Sequence, residues 1–369
     1  MITDAATITA PGNNLKELWQ RLLAGETAIR PVNRFPVDNY NSKIAACIED
    51  LKPTGGRSKM HPLLDRLFFD MGPIPPDSFL ITATTKAGID NLESLRQGNP
   101  ADFQDILLYS ITDIVSQKLG LINNGINISA SCASTTIAVA LGAAMIASER
   151  TDAVLICCAD LVTEFTFSGF SALKALSPVP CMPFDYKRNG MSLGEGAAAL
   201  LLMSRKRAQR ENREKLGSIL GFGVANDASH ITAPAKSGRG LIQAIVQALK
   251  TAKRKPEEIA AINAHGTGTI YNDLMELNAF RQVFGERKLP VYSVKGAIGH
   301  TLGAAGGIEV ILGCKTLSTR IVPPTVGFSN PEDGANGQVS SEPQHISGDY
   351  LLTTNSGFGG VNAALILGK

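Results

Sequence analysis

The 369-residue sequence predicts an α/β protein built from two similar halves, and three observations carry that expectation. Hydrophobic residues make up 44% and charged residues 18%, enough apolar material for a large core and too little charge for disorder. An order of strands and helices recurs after residue 204. Each half also holds one helix with the same run of small residues, Leu141-Gly142-Ala143-Ala144 and Leu302-Gly303-Ala304-Ala305, which points to internal duplication. The expected division is 1–204 and 205–369, with the mixed-charge run "SRKRAQRENREKLG" read as a solvated helix end at the boundary.

The elements follow in order. "NNLKELWQRLLAGET" sets Leu15, Leu18, Trp19, Leu22 and Leu23 at helical spacing, with Asn14 as N-cap and Gly25 as stop. Residues 26–80 read as irregular, being rich in Pro and Gly, and "SFLITATT" as a buried strand. "DILLYSITDIVSQKLGL" is an amphipathic helix and "GINISA" a strand; Cys132 then stands where strand gives way to helix. "DAVLICCADL" and "GAAALLLMS" are further buried strands. The second half runs "LGSILGFGV" strand, "GRGLIQAIVQALKTA" helix, "IAAINAHGTGT" strand and loop, and "DLMELNAFRQVF" helix. "PVYSVKGAIGH" strand and turn, "TLGAAGGIEVILGCKTL" helix and "YLLTTNSGFGGVNAALIL" paired strands complete it.

Several functions are excluded at this level. A net charge of +2 without a basic stripe gives no reason to expect nucleic acid. Six cysteines without C-x-x-C spacing argue for reduced thiols rather than disulfides or zinc, so no metal is expected. The N-terminus lacks a basic segment followed by an apolar one, which makes the cytoplasm the expected location. The uncharged stretch 127–148 could cross a bilayer by length, but its Ala, Ser, Thr and Gly content suits a tightly packed core helix, and no membrane span is expected. "GFGV" and "GTGT" do not complete a dinucleotide fingerprint, and no G-x-S-x-G elbow occurs.

Cysteine at a helix N-terminus meets free N–H groups and the positive end of the helix dipole, which favour thiolate. Taken alone, Cys132 reads equally well as a small buried hydrophobe. Its company points to a site: His265 ends a buried strand, and Lys295 and His300 stand beside a helix start. If the halves stack, the N-termini carrying Cys132 and His300 face one pocket.

At these residues the chain resembles the β-ketoacyl-acyl carrier protein synthases, condensing enzymes of the thiolase superfamily. The matching pieces are "SASCAS", "NAHGTGTIYNDLMEL", "SVKGAIGHTLGAAGGIE" and "NSGFGGVN", with "PFDYKRNGMSLGEGAAALLL" and "NDASHITAP" in the same order. The resemblance implies a thiolase-like five-layered α/β/α/β/α fold. It implies that Cys132 takes an acyl group from the phosphopantetheine arm of acyl carrier protein, with no other cofactor. His265 and His300 would bind the malonyl carbonyl and promote decarboxylation, and the backbone N–H groups of Cys132 and Phe358 would hold the oxyanion of the second step. Lys295 would fix charge and hydrogen bonding around the second histidine, with Glu309 in support. Asp273 and Glu276 would fix the first histidine loop, and Thr232, Thr267 and Thr269 would contact the pantetheine arm. Two histidines with a lysine are unlike the arrangements of initiating synthases and thiolases, and Cys132 is unlike the chain-length factors.

Two departures carry expectations of their own. The connection between "LLDRLFFDMG" and "SFLITATT" is short, and the first strand reads as trimmed to little more than "MIT". The motif "TNSGFGG" lacks an extra phenylalanine before Gly357, which resembles ketosynthases of polyketide or aryl polyene systems. The implied assembly is therefore a homodimer or a heterodimer with a chain-length factor. The alternative is a ketosynthase-like partner or scaffold without elongating activity. Because acyl carrier proteins are acidic, Arg57, Lys59, Arg66 and Lys174 are the expected docking patch.

Overall fold

The structure, a computed structural model, describes residues 1–53 and 55–369. Its centre is a pair of five-stranded sheets. Strands β1 (Ile2–Thr9), β2 (Phe79–Ala83), β3 (Ile126–Ile128), β4 (Ala153–Asp160) and β5 (Gly196–Met203) form the first, in the order β1-β5-β4-β2-β3. Strands β6 (Ser218–Asn226), β7 (Ile259–Asn263), β8 (Val291–Tyr292), β9 (Tyr350–Gly357) and β10 (Val361–Gly368) form the second, in the order β6-β10-β9-β7-β8. Position by position the two orders are the same. So are the directions: antiparallel at the first two pairings and parallel at the last two in both sheets. The duplication read from a few small residues is a duplication of topology.

Helices complete the layers. Helices α1 (Leu15–Leu23), α2 (Met60–Phe69), α3 (Ser110–Leu119) and α4 (Ser134–Ala147) belong to the first half. Helices α5 (Arg239–Ala252), α6 (Ile270–Phe284) and α7 (Ala305–Thr319) belong to the second. α2 and α3 cover the outer face of the first sheet, α5 covers that of the second with α6 against it, and α4 and α7 lie between the sheets, touching both. The result is the α/β/α/β/α stack.

Small residues make the middle layer possible. A side chain at Gly306 would come within 2.7 Å of the Thr136 backbone nitrogen, and one at Gly307 within 2.6 Å of Cys158 Sγ. α7 therefore approaches α4 and β4 at backbone distance, and it is buried almost all round. Its apolar cluster draws on both halves, with Val139, Ala198, Ile308 and Leu365 in one packed group. α4 differs: Ile137, Leu141 and Met145 on one side are only half-buried. No helix among the described residues is long and apolar enough to cross a membrane.

Two expectations are corrected. The first strand is not trimmed: Ile2–Thr9 pairs along Gly196–Leu202 as a full member of the sheet. Its threonines disguise it in the sequence, yet Thr3 and Thr7 donate their hydroxyls to the carbonyls of Leu201 (3.2 Å) and Ala197 (3.1 Å) and so lie buried without cost to hydrogen bonding. Nor is 26–80 wholly irregular. Met60, Leu63, Leu64 and Leu67 bury one face of α2, and Pro62 sits in its first turn, where a missing N–H is tolerated.

Candidate active site

The site forms where the two middle helices begin. Between β3 and α4 the chain turns through Ser131, whose positive φ of 51° is unusual for a residue with a side chain. That turn presents Cys132, 8% exposed, just ahead of the helix. Ser131 Oγ donates to the Phe358 carbonyl (3.0 Å), tying the turn to the β9–β10 hairpin. The N–H groups of Cys132 and Phe358 find no acceptor among the described residues.

His300 is anchored across the halves. Its N–H donates to Ser192 O (2.7 Å), and its carbonyl accepts from Gly194 N (3.0 Å). Its Nδ1 accepts from the Leu302 N–H (3.3 Å), which leaves the proton of the neutral ring on Nε2, and Nε2 lies 3.0 Å from Cys132 Sγ. His265 is set the same way by Asn355. Glu309 accepts from Asn355 Nδ2 (2.8 Å) and Thr136 donates to its Oδ1, so the amide orientation is fixed. The second Nδ2 hydrogen meets His265 Nδ1 at 3.1 Å, and His265 also keeps its proton on Nε2. The two rings stand edge to face with centroids 5.1 Å apart. Burial and the Lys295 charge hold both imidazoles well below their usual pKa, with His300 adding to the effect on His265. At neutral pH the site thus offers two uncharged N–H donors.

Burial pushes the Cys132 thiol up to about 12, with Lys295 acting in the opposite direction. The N-terminus of α4 also favours the anion, so sulfur sits between opposing influences rather than resting as a free thiolate.

Buried carboxylates hold the loops. Glu276 accepts the N–H groups of His265 and Gly266, both at 2.7 Å, and burial, then Asp273, raises its pKa to about 8. Asp273 accepts from Phe184 N (2.8 Å), Thr267 N (3.0 Å) and Gly268 N (3.1 Å). Lys295, 1% exposed, donates to the His265 carbonyl and to Glu309 Oε1, both at 2.5 Å. The lysine expected beside the second histidine is therefore bonded to the first, because α7 brings Glu309 under the His265 loop.

Two cavities meet at Cys132. The first, about 320 Å³, reaches the surface past Thr232, Thr267 and Thr269 and includes both histidines. The second, about 280 Å³, shares with it a stacked Phe170–Phe358 pair, centroids 5.7 Å apart. All three predicted threonines line the first cavity. Of the expected basic patch only Lys174 does so; Arg57, Lys59 and Arg66 line neither cavity. Arg57 is engaged by Asp105 (3.2 Å) and Arg66 by Asp50 (2.8 Å), on or beside the outer helix α2. The donor atoms of Cys132, His265 and His300 lie within 4.8 Å of one another, close enough to share a soft cation, but the ammonium behind His265 opposes further positive charge there.

Sequence reasoning missed three supports. Asn355 sets the His265 tautomer. Asp160 accepts from Gly303 N (2.7 Å) and Thr84 Oγ1 (2.8 Å), locking the turn after His300 to the end of β4. Arg188 donates to the carbonyls of Thr269 (3.2 Å) and Ile270 (3.0 Å) under the threonine loop. Each stands within a stretch quoted above, but only its partners, far away in sequence, reveal the role.

Comparison with known proteins agrees with this geometry. Residues 83–208 match the family described as Beta-ketoacyl synthase, N-terminal domain, and 216–329 its C-terminal domain. A 3-oxoacyl-[acyl-carrier-protein] synthase 2 of Vibrio cholerae is 30% identical, with 99% of this chain and 98% of that protein aligned. Among solved structures, the ishigamide ketosynthase/chain length factor superposes with a TM-score of 0.90 at 27% identity, covering 100% of this chain and 98% of that one. A ketosynthase in complex with its chain length factor from Xenorhabdus doucetiae gives 0.85 at 27%, covering 100% and 97%. Sequence, topology and the cysteine–histidine–histidine geometry converge: the chain belongs to the β-ketoacyl synthase family.

Proposed function

We propose that the protein is a β-ketoacyl-acyl carrier protein synthase, an acyltransferase that condenses a cysteine-bound acyl group with malonyl-acyl carrier protein in fatty acid or polyketide biosynthesis. The observation that carries this reading is a sulfur 3.0 Å from one imidazole nitrogen, with a second imidazole within 4.8 Å, at the junction of two cavities. Cys132 attacks the thioester carbonyl of an acyl group on the phosphopantetheine arm; the new S–C bond forms as the arm's thiol leaves with the cysteine's proton. A malonyl thioester then occupies the first cavity and loses carbon dioxide. The electron pair of the broken C–C bond becomes an enolate, and the Nε2–H groups of His265 and His300 stabilise its oxygen. The enolate carbon attacks the acyl-Cys132 carbonyl, whose oxygen is held by the N–H groups of Cys132 and Phe358. Sulfur leaves and recovers a proton. Thr232, Thr267 and Thr269 guide the arm, and no other cofactor takes part.

The partners belong to the same proposal. An acidic carrier protein docks at the mouth beside Lys174. The chain acts as a pair, with itself or with a chain-length factor, because β3 is an edge strand with Ile126 exposed and the neighbouring side of α4 is apolar and half-buried. Six free cysteines suit a reducing compartment, the cytoplasm.

The test is direct. Incubation with labelled acyl carrier protein followed by digestion leaves label on the Cys132 peptide, and malonyl carrier protein then releases it as a β-ketoacyl product. A partner or scaffold subunit would carry no label.

A further inference from the structure

The second cavity holds a charge that a hydrocarbon tail would not welcome. Lys86 lines it together with Cys132, Ser129 and Thr166. The backbone under Lys86 is rigid: Asp160 accepts from Thr84 Oγ1 (2.8 Å), Thr85 Oγ1 (2.9 Å), Thr85 N (3.0 Å) and Lys86 N (3.3 Å). That carboxylate is thereby committed to the turn and does not reach the ammonium. Lys86 Nζ donates only to the Thr85 carbonyl (3.1 Å), and among the described residues no carboxylate oxygen comes within 4.0 Å of it. Of its three N–H donors, two remain without a protein acceptor.

Topology makes this position meaningful. The Thr84–Lys86 turn follows β2, the second strand of its sheet, as the His265 loop follows β7, the second strand of the other. The duplicated fold therefore offers the centre two loops of the same origin. One supplies an imidazole to the first cavity, and the other supplies an ammonium to the second.

We propose that Lys86 makes the second cavity an acyl subsite for oxygen-bearing chains, carrying a keto or carboxylate oxygen, rather than for plain alkyl chains. The proposal rests on the reading of Cys132 as the acyl-accepting nucleophile. An oxygen placed at the free N–H donors restores what they lose when water is expelled. An alkyl chain of the same length strands them, and stranding a charged donor is the stronger discrimination.

The experiment measures kcat/KM for acylation of Cys132 by octanoyl-, β-oxo-octanoyl- and suberyl-pantetheine, which share a carbon count, with intact-protein mass as readout. The wild-type protein should favour at least one oxygenated chain over octanoyl by about tenfold or more. Lys86→Met should bring the ratio near unity chiefly by accelerating octanoyl transfer, and Lys86→Arg should keep the preference; Lys86→Gln serves if the Met variant does not fold. A wild-type preference for octanoyl, a ratio that Met and Gln leave unchanged, or a Lys86 defect confined to the malonyl step would overturn the proposal while leaving the condensing reading intact. Failure of every thioester and of acyl carrier protein to modify Cys132 would remove both.

Discussion

The two halves put different chemistry at the same place in the chain. In each, the third strand leads into the middle helix and then to the fourth strand, so the approaches to α4 and α7 are topological equivalents. In the first half residues 129–133 make that approach, a short strained turn that offers one sulfur. In the second, residues 293–304 make it, long enough to hold the short helix Lys295–Ile298 as well as His300. The sulfur end is tied to the β9–β10 hairpin by Ser131 Oγ and leads into a helix with a half-buried side. The imidazole end is tied to the first half through the His300 backbone and through Asp160, and it leads into a helix enclosed almost all round. On the proposed function the repeated scaffold divides the work, the first half supplying the acyl-accepting sulfur and the second supplying two fixed donors for charge development.

The sharpest way to break this division is to remove one end at a time. Cys132→Ala should abolish acyl transfer, a loss of at least about a thousandfold, while decarboxylation of malonyl thioester persists. His265→Ala should do the reverse, cutting carbon dioxide release about a hundredfold or more while Cys132 still takes label. Loss of both partial reactions in both variants would show that the halves do not act separately.

Next in size is the ion pair beneath the imidazoles. Lys295→Met strands Glu309 among Asn355 and apolar neighbours, and should lower unfolding stability by about 3–5 kcal/mol in denaturant titration. Because burial pushes the Glu309 carboxyl upward with Lys295 as the main opposition, the variant should recover part of that loss as pH falls. No comparable cost is expected from Cys132→Ala, since no charge is stranded.

A milder test addresses the sulfur itself. With its pKa pushed up to about 12, the thiolate fraction of Cys132 rises about tenfold per pH unit below that value. Iodoacetamide alkylation should therefore climb from pH 7 to 10 without a plateau; a plateau near neutrality would mean that the helix end outweighs burial. Smallest of all, Lys174→Glu should raise KM for carrier-bound substrate a few-fold and spare pantetheine thioesters, whereas Arg66→Glu should change neither.

Much of this was legible in the sequence because it lay in local pattern. Hydrophobic runs marked β2, β4 and β5, and a cysteine or histidine at a strand end beside glycines marked the site. What escaped depended on partners distant in the chain. Thr3 and Thr7 look like loop residues until Leu201 and Ala197 accept their hydroxyls. Lys295 lies close in sequence to His300, yet its ammonium reaches His265, because only the packing of α7 fixes where Glu309 stands. Arg57 and Arg66 carry the right charge for a docking patch, but they line neither cavity and are paired with Asp105 and Asp50, partners that the local sequence does not announce.

The order of β9 and β10 has a consequence for biogenesis. They are interior strands of the second sheet, yet the ribosome makes them after every other strand of that sheet, so β6 and β7 must wait with open edges while more than eighty residues are synthesised. At ~5–20 residues per second that interval lasts several seconds, long enough for a nascent chain to meet a chaperone or another nascent chain before its own strands arrive.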